Sequence, residues 1–317
     1  MKRIELKLPL IEEITLYICN NELAEFTQRQ LYNYVVNIQE LKENNTATTI
    51  ILATNQIFIK KMKPLFTKNQ KLGRQYKIDN NILNIPNFEY HLSNEALEII
   101  YTKKEKIKWY KGKKKATYSK CHINFYEQIL FPIFSLYAIY DGYYLIHGSL
   151  LMFNDNAFIL SGLDGVGKSS LSNLLQQKGA KILADNFVLY NGKTAIPLNM
   201  AMRLEPKQDT QLEVLYSDKD LKEVLPIDIL DHTICVNKIF LLSISDKLEF
   251  KKISNNPVLW SLFLNLAPEI GSANNFIAPV LYNSLEITKL DFNGGFFIIK
   301  IPLGELEKGL EVLLNEC

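Results

Sequence analysis

The chain has 317 residues, 47% of them apolar and 22% charged, with a formal net charge of +2. That length suffices for one large or two ordinary domains with a buried core, and the composition is that of a soluble globular protein. A near-neutral balance excludes a whole-molecule field that would draw nucleic acid. No apolar run reaches the length of a membrane span, and Met1-Lys2-Arg3-Ile4-Glu5-Leu6-Lys7 is too charged for a secretory signal. Cys19, Cys121, Cys235 and Cys317 are scattered without a C-x-x-C pair, so they read as free thiols in a reducing compartment. The expected location is cytoplasmic.

Residues 1–120 are expected to form an α+β region without a chemical motif. Glu22 to Glu40 has helical spacing. Thr48–Ala53 and Gln56–Ile59 read as strands joined by a tight Thr54-Asn55 connection. Extended pieces follow at Ala96–Tyr101 and Lys106–Tyr110. Lys103 to Lys120 holds nine Lys and one Glu, with Trp109, Tyr110 and Tyr118 interleaved and Gly112 at a turn. One reading is a basic hairpin that docks an acidic partner, RNA or an anionic peptide. The other, favoured because Lys without Arg is weak evidence for nucleic-acid readout, is a solvated edge hairpin that Lys protects from aggregation.

Residues 121–317 are expected to form the second domain. Phe125 to Tyr137 suggests a buried helix despite Pro132. Tyr143–Ile146 is a strand leading to His147-Gly148, and Ser149–Met152 extends again. Asn154-Asp155-Asn156 turns into the strand Ala157–Leu160. After a helix from Ser170, Lys181–Asp185 is a short strand ending in a carboxylate. Phe187–Tyr190 followed by Asn191-Gly192 is a hairpin signal. Strands are expected at Lys238–Ser243, Glu249–Ile253 and Phe296–Ile301, and helices at Asn255–Asn265, Ala273–Ser284 and Leu303–Leu314.

Between the strand Ala157–Leu160 and the helix from Ser170, residues Gly162, Leu163, Asp164, Gly165, Val166, Gly167, Lys168 and Ser169 match the phosphate-binding pattern G-x-x-x-x-G-K-[ST] in full. The glycines let backbone N–H groups curl inward onto phosphate oxygens, and the helix N-terminus adds partial positive charge. Lys168 would reach the β- and γ-phosphates, Ser169 would ligate Mg²⁺, and Ser170 would continue the nucleotide-binding segment. The loop reads phosphates and not the base, so the donor is ATP, with ADP or pyrophosphate as open alternatives. Asp185 closes the strand after the loop helix and is placed to meet Lys168 and the metal as general base or metal ligand; otherwise it is a turn residue. His147 would position Asp185 or the substrate, or it is a partly buried His at a strand end. Arg203 would lend positive charge to the γ-phosphate, or it is a surface Arg on a hairpin.

Three stretches carry a family resemblance. They are Ile146-His147-Gly148-Ser149-Leu150, the loop Ser161–Ser169, and Gln177-Lys178-Gly179-Ala180-Lys181-Ile182-Leu183-Ala184-Asp185. They resemble the catalytic domain of HPr kinase/phosphorylase and its small stand-alone relatives, with Pro197–Leu204 a weaker likeness. The resemblance spans about residues 140–317. It implies the fold shared with phosphoenolpyruvate carboxykinase: an α/β domain with a mixed, twisted sheet, the phosphate loop at one edge and helices around it. It also implies phosphate transfer from a nucleotide to a hydroxyl, with Asp185 as base aided by His147. The family's paired acids become Asp185-Asn186 here. One carboxylate therefore serves where two are usual, or another acid such as Glu205 contributes. No counterpart of the bifunctional enzymes' Gly-rich signature is present, which weakens phosphorylase activity and the HPr protein as substrate.

The leading expectation is a kinase acting on a small molecule or peptide, with a homo-oligomer left open. The alternatives are a nucleotide-binding regulator without catalysis and an RNA-directed hydroxyl kinase using the basic segment.

Overall fold

The computed structural model describes residues 2–8, 11–18, 35–41, 49–53, 71–72, 76–79, 82–85, 88–101, 143–163, 165–185, 187–197, 202–204, 216–217, 223–225, 233–253 and 295–317, with Ala24, Gln28, Ile59, Lys60 and Lys63. The chain divides into two compact units.

The first unit contains β1 (Lys2–Leu8), β2 (Ile11–Ile18), β3 (Val35–Glu40), β4 (Thr49–Ala53), β5 (Lys71–Leu72), β6 (Tyr76–Asp79), β7 (Ile82–Ile85), β8 (Phe88–Leu92) and β9 (Leu97–Tyr101). They form one sheet in the order β3-β1-β2-β4-β9-β8-β7-β6-β5, every neighbour antiparallel. Alternation explains its buried side: Ile4 and Leu6 of β1 and Leu16 and Ile18 of β2 are buried, while Arg3 and Glu5 between them form an ion pair on the other side. The helix expected over Glu22–Glu40 stops short. Ala24 and Gln28 are helical, but Val35–Glu40 is a strand, because Val-Val-Asn-Ile pairs along β1 and the ladder overrides the helical spacing. Ile59 is helical rather than extended. The basic segment Lys103–Lys120 lies outside the described residues.

The second unit holds β10 (Tyr144–Phe153), β11 (Asn156–Gly162), α1 (Lys168–Gln177), β12 (Lys181–Ala184), β13 (Phe187–Tyr190), β14 (Thr194–Pro197), β15 (Met202–Leu204), β16 (Tyr216–Ser217), β17 (Glu223–Leu225), β18 (Ile234–Ser245), β19 (Glu249–Ile253), β20 (Gly295–Pro302) and α2 (Leu306–Glu316). The main sheet is mixed: β11, β18 and β20 run parallel to one another, and the other pairings are antiparallel. Two expectations change. The strand ahead of the loop is no edge, since β11 pairs with both β10 and β18, and β10, β13, β14, β18 and β11 close into a five-strand barrel. The described residues of this unit are also mostly sheet, with two helices, so the α/β expectation holds in part. The helices expected at Phe125–Tyr137, Asn255–Asn265 and Ala273–Ser284 lie outside the described residues.

Each barrel strand contributes to one apolar cluster, including Ile146, Ile159, Val188, Ala195 and Ile239. Tyr190 joins it with its hydroxyl donated to the Gly192 carbonyl at 2.6 Å, so the polar tip is satisfied. A second cluster lies between the sheet and the helices. Leu171 and Leu175 of α1 and Leu310 and Leu313 of α2 meet Phe158 and Phe240 there. Their spacing of four and three residues gives each helix one apolar stripe. Each such side chain contributes about 1.5–3 kcal/mol by leaving water. A three-stranded sheet, β15-β17-β16, completes the unit, and β15 passes beside α1.

Candidate active site

The loop between β11 and α1 takes its shape from glycine. Gly162, Gly165 and Gly167 all hold positive φ, at 151°, 79° and 95°. The Leu171 N–H donates to the Gly167 carbonyl at 2.8 Å, which starts α1, and the first turn of α1 carries no acidic side chain. The Lys168 ammonium folds back over the loop and donates to the carbonyls of Gly162 at 2.8 Å and Leu163 at 2.9 Å. Lys168 is buried at 8% exposure, so its charge sits inside the curl rather than in solvent.

Asp185 reaches the same place from the sheet. The pairs His147↔Phe187 and Leu150↔Ala184 share one register of β10 against β13 and the end of β12, which shifts only beyond Leu150. That register sets Asp185, in the break between β12 and β13, opposite Ser149. The Ser149 hydroxyl donates to Asp185 Oδ1 at 2.6 Å. From the other side the Ser169 hydroxyl, in the first turn of α1, lies 3.3 Å from Oδ1 and 3.1 Å from Oδ2. The carboxylate is 1% exposed. It is a buried acid held between two hydroxyls, one from the sheet and one from the helix that follows the loop.

His147 lies two residues before Ser149, so alternation puts both on the face of β10 that turns toward the helices; Leu151, next in that row, packs in the helix-side cluster. The imidazole is 4% exposed and stacks on Phe187 with ring centroids 5.8 Å apart. Its carbonyl accepts the Ser161 hydroxyl at 2.7 Å, which ties β10 to the end of β11 where the loop begins.

Of the residues expected at the site, Ser169 and Asp185 meet directly, Lys168 turns instead to the carbonyls of Gly162 and Leu163, and His147 lies on the strand face that also carries Ser149. Leu163, Gly165, Val166 and Ser170 line the same turn, and Leu163 is exposed. Asp164 and Glu205 lie outside the described residues. Arg203 is on β15, the strand beside α1. Ser149 carries no role of its own in the sequence pattern, although it stands in the same stretch as His147. The usable signal is the two-residue spacing from His147, and its partner is 36 residues away along the chain.

The donor set suits a hard cation. A hydroxyl and a carboxylate 3.1 Å apart offer oxygen ligands, and Mg²⁺ usually takes one or two protein oxygens while keeping water and substrate phosphates. Among the described residues no group of three or more His, Cys, Asp and Glu forms a fuller cage. No helix among them is long and apolar enough to cross a membrane.

Comparison with protein-family models and with curated proteins finds no match. Among solved structures, the Hpr(Ser) kinase/phosphatase from Coxiella burnetii overlaps 54% of this chain and 94% of its own, at 12% identity and a TM-score of 0.30. That is a loose likeness, and the functional reading rests on the site's own geometry.

Proposed function

We propose that the chain is a kinase of the HPr-kinase-like type, transferring the terminal phosphate of a nucleoside triphosphate to a hydroxyl of a small molecule or peptide in the cytoplasm. One observation carries the reading: the hydroxyl of Ser169, in the first turn after the glycine loop, lies 3.1 Å from the buried carboxylate of Asp185. A strand-to-helix turn with no ligand has no need of a desolvated acid behind it.

In this reading the residues of the turn 162–169 cradle phosphate oxygens with their N–H groups and the N-terminus of α1. Lys168 exchanges the carbonyls of Gly162 and Leu163 for the β- and γ-phosphates. Ser169 and Asp185 would hold Mg²⁺, which when bound neutralises charge on the transferring group. Asp185 takes the proton of the acceptor hydroxyl as that oxygen bonds to the γ-phosphorus. The bond from phosphorus to the bridging oxygen breaks, and a nucleoside diphosphate leaves. His147 orients Asp185 or the acceptor, and Arg203 offsets developing charge from β15.

The test is a screen for transfer from terminally labelled ATP to peptides, serine-like alcohols, sugars and tRNA, with Lys168→Ala as control. Label in one acceptor class, absent with Lys168→Ala, supports the reading. Tight nucleotide binding without transfer to any hydroxyl would favour a regulator instead.

A further inference from the structure

Transfer to a hydroxyl asks two things of the acid at this site, to serve the metal side and to receive the acceptor's proton. Asp185 has two oxygens for the two tasks. What keeps them assigned is visible in the strand beneath. Ser149 is fully buried, on the face of β10 that farther along carries Leu151 into an apolar cluster. A hydroxyl there is costly to desolvate unless it is bonded. Its bond to Asp185 Oδ1, at 2.6 Å, has the length of a charge-assisted bond from a hydroxyl to a carboxylate. Ser169 is nearer to Oδ2 than to Oδ1. Oδ1 is thus held from the sheet and shared with Ser169, while Oδ2 meets Ser169 alone of the two serines.

We propose that Ser149 is a positioning residue for phosphate transfer: its hydroxyl fixes the Asp185 carboxylate so that Oδ2 is presented to Ser169 and the loop. The inference rests on the kinase reading above. Removing the hydroxyl takes away the short sheet-side bond to Oδ1 and leaves the longer Ser169 contacts, so the carboxylate is held less firmly and both tasks suffer together. Loss of such an outer hydrogen-bond partner typically costs about 10–100-fold in metal affinity or activity.

The experiment compares wild type, Ser149→Ala and Ser149→Thr. Mn²⁺ binding is followed by electron paramagnetic resonance with a non-hydrolysable ATP analogue in place. Transfer of the terminal phosphate to water gives a rate that needs no identified acceptor, and thermal melts give the folded fraction. The expected result for Ser149→Ala is Mn²⁺ affinity and transfer rate each down about 10–100-fold, with analogue affinity within about twofold in the absence of metal. Ser149→Thr, which keeps the hydroxyl, recovers both to within about threefold of wild type. The proposal is overturned if Ser149→Ala matches wild type in Mn²⁺ affinity and rate. It is equally overturned if folded Ser149→Thr is as impaired as Ser149→Ala. Wild-type protein that binds neither the analogue nor Mn²⁺ overturns the kinase reading itself, whereas a working wild type beside an unimpaired Ser149→Ala sinks only the role of Ser149.

Discussion

Gly167 and Leu306 are in contact: a Cβ built on Gly167 would lie 2.8 Å from Leu306 Cδ2. The last turn of the loop is therefore seated on the first residue of the closing helix α2. The same glycine holds φ at 95°, where a side chain costs about 1–2 kcal/mol. The loop's curl depends on local glycine chemistry and on a helix more than a hundred residues downstream.

Gly167→Ala is expected to weaken nucleotide binding by about 5–30-fold, since about 1–2 kcal/mol of backbone strain falls on the phosphate-facing turn. The overall fold is expected to survive, because Leu306 is a flexible neighbour that can shift. Isothermal titration with the ATP analogue, beside a circular dichroism melt, checks both parts.

The helix-side core sets the position of α1, and Phe240 is central to it. It is fully buried, meets Phe158 edge-on at 5.6 Å between centroids and stacks on Phe297 at 5.3 Å. Phe240→Ala is expected to destabilise the second unit by about 3–5 kcal/mol. Urea unfolding followed by far-ultraviolet circular dichroism measures the shift in midpoint. A loss below about 1 kcal/mol would mean the site collapses around the missing ring.

Much of this unit was legible from local pattern. Asn191-Gly192 marked the hairpin of β13 and β14, Asn154-Asp155 marked the turn from β10 to β11, and both residues of that turn hold positive φ. The stretch His147-Gly148 read as an interruption, whereas β10 runs unbroken from Tyr144 to Phe153. Gly148 is needed for close approach, since a Cβ there would lie 2.5 Å from the Leu160 carbonyl oxygen. Barrel closure was not legible, because the parallel pairing of β11 with β18 joins residues about eighty apart and leaves no local mark. Ser149 was missed for the same reason. Cross-strand register decides its partner, and register is a property of the assembled sheet.

Alkaline pH should weaken the packing of α2 against the sheet. Burial pushes the Cys317 thiol from its ordinary 9.0 up to about 12, with Lys238 pulling the other way and Glu316 adding to the rise. The folded chain holds this proton more tightly than the unfolded one. Its contribution is therefore complete below pH 9 and lost as pH rises toward 12. Cys317→Ala is expected to flatten the fall of stability across that window, measured by urea midpoints at successive pH values. At pH 8 the exposed Cys235 should react with a thiol reagent well before Cys317 does.

The central claim is that Asp185 acts on chemistry rather than on nucleotide capture. Asp185→Asn keeps the shape and can still accept the Ser149 hydroxyl, but it cannot take a proton. The decisive measurement sets the two properties side by side in this variant: affinity for the ATP analogue in the absence of metal, and transfer of labelled terminal phosphate. Analogue affinity within about threefold of wild type, with transfer reduced about 10²–10⁴-fold, is the expected result. Transfer by Asp185→Asn at the wild-type rate would contradict the account.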